Sequence, residues 1–160
     1  MGLPLYDASC RTSQVTSGQV LCALLPAVGA AGSAVGVRTL RVRQIMICNT
    51  TATGFGVGVG LATAAGATPA GGVGSPPGQR RGGSTDAPSS AQNLFTTYAT
   101  QPTAPAVYPF RLWVPGSSMV ILPFAVGDEL VVAPAATPLP FCIWNTGTGQ
   151  IADVSITWEE

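Results

Sequence analysis

The stretch Gly54-Phe55-Gly56-Val57-Gly58-Val59-Gly60-Leu61 alternates glycine with a large apolar residue along its whole length. A period of two places the large side chains on one face of a β-strand and leaves the other face bare. Glycine inside a strand weakens it, so we expect another backbone to approach the bare face closely. A nucleotide-binding loop does not fit, because Val59 stands where a third fingerprint glycine is needed and the chain has no lysine.

The preceding run, Thr39–Cys48, predicts a second strand. Leu40 and Val42 share one parity with Arg41 and Arg43 on the other, and the pattern then changes to Ile45 and Ile47. Such a change of parity within one strand predicts a β-bulge near Gln44, or a second half that is buried on both faces.

Two similar segments each join a pair of strand patterns. Residues 47–54 (ICNTTATG) and residues 143–149 (IWNTGTG) both run from an apolar strand through an Asn-Thr turn into the next strand. Each segment predicts a β-hairpin. Further strand patterns occupy 94–98, 110–114, 119–124, 130–133 and 141–144. Pro123 lies inside one of them, which predicts an edge strand or a bulge there.

The last strand pattern, 152–159, alternates most regularly. Its even-numbered residues are predicted to face the core and its odd-numbered residues to face solvent; they are Ala152, Val154, Ile156 and Trp158 on the first face, and Asp153, Ser155, Thr157 and Glu159 on the second. No segment has a sustained helical period. Many short strands with Gly/Pro turns predict an all-β fold, an antiparallel β-sandwich that is jelly-roll-like.

The 160 residues predict one domain with two irregular parts. Residues 1–38 are predicted to form an extended N-terminal arm with the first strand or strands, and residues 39–160 a single β-sandwich domain. Within it, residues 64–93 are rich in Gly, Pro and Ser and are predicted to form a long loop or arm. Loops of this length are functional or disordered, so we expect this segment and the N-terminal segment to reach neighbouring subunits.

The composition excludes most catalytic chemistry. The chain has no histidine, and its seven positively charged side chains are all arginine. General acid–base catalysis at neutral pH relies mostly on His, and amine nucleophiles require Lys. The carboxylates show neither a pair placed across a cleft nor calcium-loop spacing. We therefore expect a protein that is not an enzyme, with no catalytic residue, no metal site and no cofactor.

Charge and hydropathy favour a subunit with covered surfaces. Only 9% of the residues are charged, the net charge is zero, and 46% are hydrophobic, a combination that promotes association. No basic stripe offers a footprint for nucleic acid, so no nucleic-acid partner is expected. The uncharged run Val20–Val37 is long enough to raise a membrane span, but its Ala, Gly and Pro content disfavours one, and no membrane partner is expected.

The four cysteines, Cys10, Cys22, Cys48 and Cys142, lack the two-residue spacing of zinc or redox motifs. Cys48 and Cys142 lie in apolar strand patterns, where a free cysteine usually behaves as a small buried hydrophobic residue. Free thiols are the favoured interpretation, although four cysteines allow three pairings and a disulfide stays open.

Five segments carry a resemblance to small structural proteins of tailed bacteriophages and prophages. They are Leu3–Ser9 (LPLYDAS), Arg43–Thr53 (RQIMICNTTAT), Thr100–Pro105 (TQPTAP), Pro140–Asn145 (PFCIWN) and Val154–Glu160 (VSITWEE). The resemblance implies a β-sandwich virion component without enzymatic activity, commonly in a symmetric oligomer. The segment from 78 to 87 matches nothing in this group, and its role stays open.

The function expected from these observations is that of a capsid decoration or cement subunit on the outer surface of the head, as a homo-oligomer, with a trimer favoured. Its partners would be the major capsid protein or neighbouring virion subunits. The residues expected at its interfaces are Leu3, Leu5, Tyr6, Arg41, Arg43, Arg80, Arg81, Arg111 and Trp113. The first alternative is a minor tail, baseplate or fibre-associated subunit. The second is a carbohydrate- or receptor-binding module built on Trp and Tyr side chains, although Trp144 and Trp158 are expected in the core or an interface.

Overall fold

The computed structural model describes residues 4–26, 39–66, 78–81, 91–133 and 139–160. Within these ranges the chain forms eleven β-strands and no helix, so the all-β prediction is confirmed. The strands are β1 Leu5–Arg11, β2 Val20–Pro26, β3 Leu40–Asn49, β4 Phe55–Leu61, β5 Gly78–Arg81, β6 Ala91–Phe95, β7 Phe110–Val114, β8 Met119–Pro123, β9 Leu130–Val132, β10 Phe141–Asn145 and β11 Ala152–Glu159.

The strands form two antiparallel sheets. Sheet A has the order β5-β1-β11-β3-β8, with β9 also pairing with β3, and sheet B has the order β6-β2-β10-β4-β7. One apolar cluster contains fully buried side chains from both sheets, among them Trp158 and Ile156 of sheet A and Phe55 and Phe141 of sheet B. The two sheets therefore pack face to face in two layers, like a β-sandwich.

The predicted irregularity in β3 is confirmed as a bulge. Gln44 pairs with Thr157 and Val42 pairs with Trp158, so Arg43 is the extra residue that shifts the register. This extra residue lets Val42 and Ile45 both point into the core although their spacing is odd. Pro123 lies in β8, which is an edge strand of sheet A, as predicted.

The prediction of two hairpins is wrong. β3 and β4 belong to different sheets, and so do β10 and β11, so each Asn-Thr turn carries the chain from one layer to the other. A buried asparagine holds each corner. Asn49 Oδ1 accepts from the Thr51 amide at 2.9 Å, and Asn145 Oδ1 accepts from the Gly147 amide at 3.1 Å. These side chains replace the ladder hydrogen bonds that a hairpin would have supplied.

The outer face of sheet B is covered by the connection between β6 and β7, residues 96–109, which we call the strap. Tyr98 and Tyr108 of the strap join a second apolar cluster that includes Trp144 and Cys142 from the outer side of β10. Gln101 fixes the strap to sheet B, since its Oε1 accepts from the Val20 amide at 2.9 Å. Sheet B is thus buried on both faces over this region.

The bare face of β4 lies beneath this cover. A Cβ added to Gly58 would lie 2.6 Å from the Tyr108 ring, and one added to Gly60 would lie 2.8 Å from Pro109. A close neighbour was predicted there, and one is present. The expected kind of neighbour was wrong, because side chains and not another backbone fill the space that the missing side chains leave.

On β11 the alternation holds for the apolar face, and Trp144 and Trp158 are fully buried. The outward prediction is wrong for Thr157 and Glu159, which are 5% and 8% exposed. The reason is that β11 lies between β1 and β3, so neighbouring side chains cover its outer face.

The domain boundary at residue 38 stays a prediction, because residues 27–38 lie outside the described ranges. The N-terminal arm and the long loop are not confirmed. β1 and β2 pair with β11 and β10 inside the two sheets, and the described part of the predicted loop contributes β5, which pairs with β1 of the same chain.

Candidate functional site

The outer face of sheet A carries an exposed apolar surface where β3 pairs with β8. The side chains that alternate with core residues here point away from the core, and we call them the β3–β8 face; they are Met46, Cys48, Met119, Ile121 and Pro123. Cys48 pairs with Met119 and Met46 with Ile121, which places these side chains beside one another. Met119 is 53% exposed and Ile121 is 48% exposed. None of the five residues carries a charge.

The free edge of β8 borders the β3–β8 face. Among the residues that the structure describes, β8 pairs only with β3, so its second edge presents backbone groups without a strand partner. An exposed edge is a template for pairing with another chain, and a proline limits such pairing. Pro123 lies at the last position of β8, so the edge stays open only over its first four residues.

Arg43, which was predicted at an interface, forms ion pairs within its own chain. Its two terminal nitrogens contact the carboxylates of Glu129 and Glu159, the second at 2.5 Å, and its side chain is only 19% exposed. The bulged position turns this arginine over sheet A, where it contacts two carboxylates of the same chain, and its role at an interface stays a prediction. Arg41 on the same strand is exposed.

Glu129 is the carboxyl of this group with a shifted pKa. Hydrogen bonds from its own backbone amide and from the Gly127 amide, together with the charges of Arg43 and Arg41, hold the pKa of Glu129 below its usual value, although desolvation opposes them. The Gly127 amide donates to Glu129 Oε2 at 2.8 Å. The carboxylate is thus fixed in its charged form by backbone donors as well as by arginine.

Tyr6, another of the residues predicted at an interface, is buried within its own chain. It is 1% exposed and stacks on Trp158 with ring centroids 6.2 Å apart, so it belongs to the core. Leu5 is half-buried on β1. Leu3 lies outside the described residues, as do the side chains of Arg80 and Arg81, whose backbone belongs to β5.

Two predicted interface residues do come together, on the outer face of β7. Arg111 and Trp113 are two positions apart, so they share that face, and Trp113 is 64% exposed. The indole lies over the backbone of Gly54, where an added Cβ would be 2.8 Å from the ring. Among the described residues no carboxylate pairs with Arg111. An exposed aromatic ring and an unpaired cation therefore lie side by side.

A shallow groove runs past these two side chains. One cavity of about 310 Å³ is lined by Trp113, Arg111, Thr146 and the backbone of Gly56. A second cavity of about 360 Å³ shares Arg111 and Thr146 and extends to Tyr108. The two adjoin at the shared residues, and we call them together the Arg111–Trp113 groove. Their combined size is in the range of small-ligand sites.

In the part of the chain that the structure describes, the cysteine and carboxylate side chains do not form a metal-binding cluster. No group of three or more Cys, Asp or Glu side chains is placed to hold a metal ion there. Nor does any described segment form a helix long and apolar enough to cross a membrane. The candidate site is thus a pair of surfaces, the β3–β8 face and the Arg111–Trp113 groove.

Sequence reasoning found Arg111 and Trp113 but missed the β3–β8 face. The alternation of Met119 and Ile121 with Val120 and Leu122 was visible, but both sets are apolar, so the pattern did not say which set faces out. The outward set is fixed by the pairing of β8 with β3.

Searches against models of protein families, curated proteins and solved structures found no match to this chain.

Proposed function

We propose that the chain is a structural protein of a bacteriophage virion without enzymatic activity, a decoration or cement subunit that stabilises the head from its outer surface. The observation that carries the proposal is the β3–β8 face, an uncharged surface that combines exposed apolar side chains with an open strand edge. Large exposed apolar patches in soluble proteins mark interaction sites. Within the phage class, a shell-binding subunit is the type of protein that needs such a face.

The strand order supports the proposal. Without β5, β6 and β9, four of the six antiparallel pairs are β1 with β11, β2 with β10, β3 with β8, and β4 with β7, and the other two, β3 with β11 and β4 with β10, join them into the two sheets. In these four pairs the first strand pairs with the last strand, the second with the second-last, and so on inward. This order is obtained when a long antiparallel ribbon of paired strands is wrapped into two sheets. We propose that the fold is a jelly roll, an architecture that virus capsid and lectin domains share.

The proposed mechanism is mechanical. A subunit that binds only the assembled shell lowers the free energy of that state by mass action and leaves the dispersed shell proteins unaffected. Met119 and Ile121 would supply buried apolar area in the contact, worth about 25 cal/mol for each Å² removed from water. The low charge of the chain supports close apposition to neighbours. We propose a homo-oligomer, with a trimer favoured, as the bound form.

The test is binding to head particles of the phage that encodes the chain, freed of this protein. Ile121→Asp places a charge in the centre of the β3–β8 face and should weaken co-sedimentation with the heads at least about tenfold, because a buried unpaired charge is costly. Val107→Asp is the matched control, since Val107 is 81% exposed on the strap, away from the β3–β8 face. Equal binding of Ile121→Asp and the parent chain would contradict the proposal.

The first alternative is a minor tail, baseplate or fibre-associated subunit. Quantitative mass spectrometry of purified particles separates it from the shell, because closed symmetric assemblies fix the copy number. A shell subunit is expected in hundreds of copies, and a tail subunit in roughly three to a dozen. Absence from purified particles would refute both.

The second alternative is a carbohydrate- or receptor-binding module, and the Arg111–Trp113 groove is the observation that favours it. A sugar ring stacks on an exposed indole, and an arginine binds a carboxylate with two hydrogen bonds. A glycan screen that includes uronic-acid sugars should then give binding that Trp113→Ala abolishes. No binding at millimolar sugar would exclude this function.

A further inference from the structure

Two cysteine side chains meet across the interior of the sandwich. Cys10 lies on β1 of sheet A and Cys22 lies on β2 of sheet B, and both belong to the central apolar cluster. A hydrogen bond joins the Cys10 and Cys22 thiols, with the sulfur atoms 3.2 Å apart. Cys10 is 7% exposed and Cys22 is fully buried. A disulfide has sulfur atoms about 2.0 Å apart, so a shift of roughly one ångström separates contact from bond.

The other two cysteines face elsewhere. Cys48 lies on the β3–β8 face, on the solvent side of sheet A. Cys142 lies on β10 with its side chain in the second apolar cluster under the strap, on the opposite face of sheet B from Cys22. Of the four cysteines, Cys10 and Cys22 are thus the pair that both face the interior between the sheets and contact each other.

We propose that Cys10 and Cys22 are oxidised to a disulfide that joins the two sheets. The reaction needs a two-electron oxidant, for which a small-molecule disulfide such as oxidised glutathione suffices. One protein thiolate attacks it and releases one glutathione thiolate, and the second protein thiolate then displaces the other. The balance is two protein thiols and one external disulfide giving one protein disulfide and two external thiols.

Burial determines when this reaction takes place. The hydrogen bond shared with Cys10 and desolvation in the core raise the pKa of Cys22 well above its usual value. Since the thiolate is the attacking species, the folded interior reacts slowly. The bond therefore forms while β1 and β2 are docking or during their transient opening, and once formed it is shielded from reductants by the same burial.

The expected consequence is resistance to separation of the two layers. The bridge joins residues 12 positions apart, across the turn that leads from β1 to β2. Closing a loop of this length reduces the entropy of the unfolded chain, and in a protein of this size the effect corresponds to a rise in melting temperature of roughly 6–12 °C. A particle protein outside the cell would keep such a bond, because extracellular conditions are oxidising.

The test is to refold the full chain in a mixture of oxidised and reduced glutathione, then denature it, alkylate it and map its peptides by mass spectrometry. We expect two alkylated cysteines, Cys48 and Cys142, and one cross-linked peptide pair containing Cys10 and Cys22. Four alkylated cysteines, or a cross-link that includes Cys48 or Cys142, would overturn the proposal.

Melting temperatures supply a second readout. The parent chain and the Cys48→Ala/Cys142→Ala control should both melt at a lower temperature in reductant than after oxidation. Cys10→Ala/Cys22→Ala should show no difference between the two conditions. A redox-dependent shift that persists in Cys10→Ala/Cys22→Ala would contradict the assignment, and if that variant does not fold, the peptide map of the parent chain decides alone. Neither readout depends on the proposed virion function.

Discussion

Replacing Gly58 with alanine tests how the outer face of sheet B is closed. The added Cβ would lie 2.6 Å from Cδ1 and Cγ of Tyr108, well inside the distance that carbon atoms tolerate. The buried indole of Trp144 blocks the retreat of the phenol ring on one side, with ring centroids 5.5 Å apart, so the ring can move only towards the groove that Tyr108 lines. The ring must therefore move that way, or the strap must lift, or β4 must bend.

The magnitude follows from two opposing effects. Overpacking a filled site costs typically about 1–3 kcal/mol, whereas exchanging glycine for alanine gains about 0.4–1 kcal/mol by restricting the unfolded chain. We expect Gly58→Ala to lower the free energy of unfolding by about 1–2 kcal/mol. For a chain of 160 residues this corresponds to a fall in melting temperature of roughly 2–8 °C.

The assay is urea and thermal unfolding of Gly58→Ala beside a matched control, Gly147→Ala. A Cβ at Gly147 would meet only the Gly56 nitrogen at 3.8 Å, an ordinary contact, so that variant should lose no stability. The double variant Gly58→Ala/Tyr108→Ala completes the cycle. Adding Tyr108→Ala to Gly58→Ala should lower the free energy of unfolding by less than Tyr108→Ala lowers it in the parent chain. Equal stability of Gly58→Ala and the parent chain would refute the packing described for the strap.

Two further predictions concern polar groups. The folded-state pKa of Glu129 lies below its ordinary value of 4.5, so the contribution of Glu129 to stability is present above pH 4.5 and is lost as the pH falls through the folded pKa. The urea midpoint of the parent chain should therefore fall in acid, and Glu129→Gln should reduce this fall. An unchanged pH profile in Glu129→Gln would contradict the role of Glu129. Asn145→Ala removes the side-chain amide that donates to Val15 O at 2.9 Å and to Gly147 O at 2.7 Å. The two carbonyl groups lose this hydrogen-bond donor, so the free energy of unfolding in urea should fall by about 1–3 kcal/mol. A loss under about 0.5 kcal/mol would contradict this.

The sequence was informative wherever a local pattern determined the outcome. The glycine alternation in β4, the parity change before Ile45 and the apolar face of β11 each identified a strand or a bulge, because side-chain direction in a strand depends only on position along it. Pro123 marked an edge strand for an equally local reason, since proline cannot donate to a second neighbour.

What the sequence could not supply was which strands pair. The two Asn-Thr turns look like hairpin turns, and only long-range pairing shows that β4 and β11 belong to the opposite sheet from the strands before them. Asn49 illustrates the difficulty: its amide donates to Thr53 O at 2.8 Å and to Pro115 O at 3.0 Å, the second a residue 66 positions away. Likewise, Arg43 reaches Glu129 and Glu159 only after the sheet has formed.

The two layers of the sandwich differ in how their outer faces are covered, and this difference bears on function. Sheet B carries apolar residues on its outer face, and the strap buries them. Sheet A has polar outward residues along β1, such as Ser9 and Arg11, which need no cover. At its other side, however, the β3–β8 face combines apolar side chains with an open strand edge. Exposed Met119 and Ile121 are the side chains that the proposed contact with a shell surface would bury, whereas contact with solvent alone would favour polar residues at these positions.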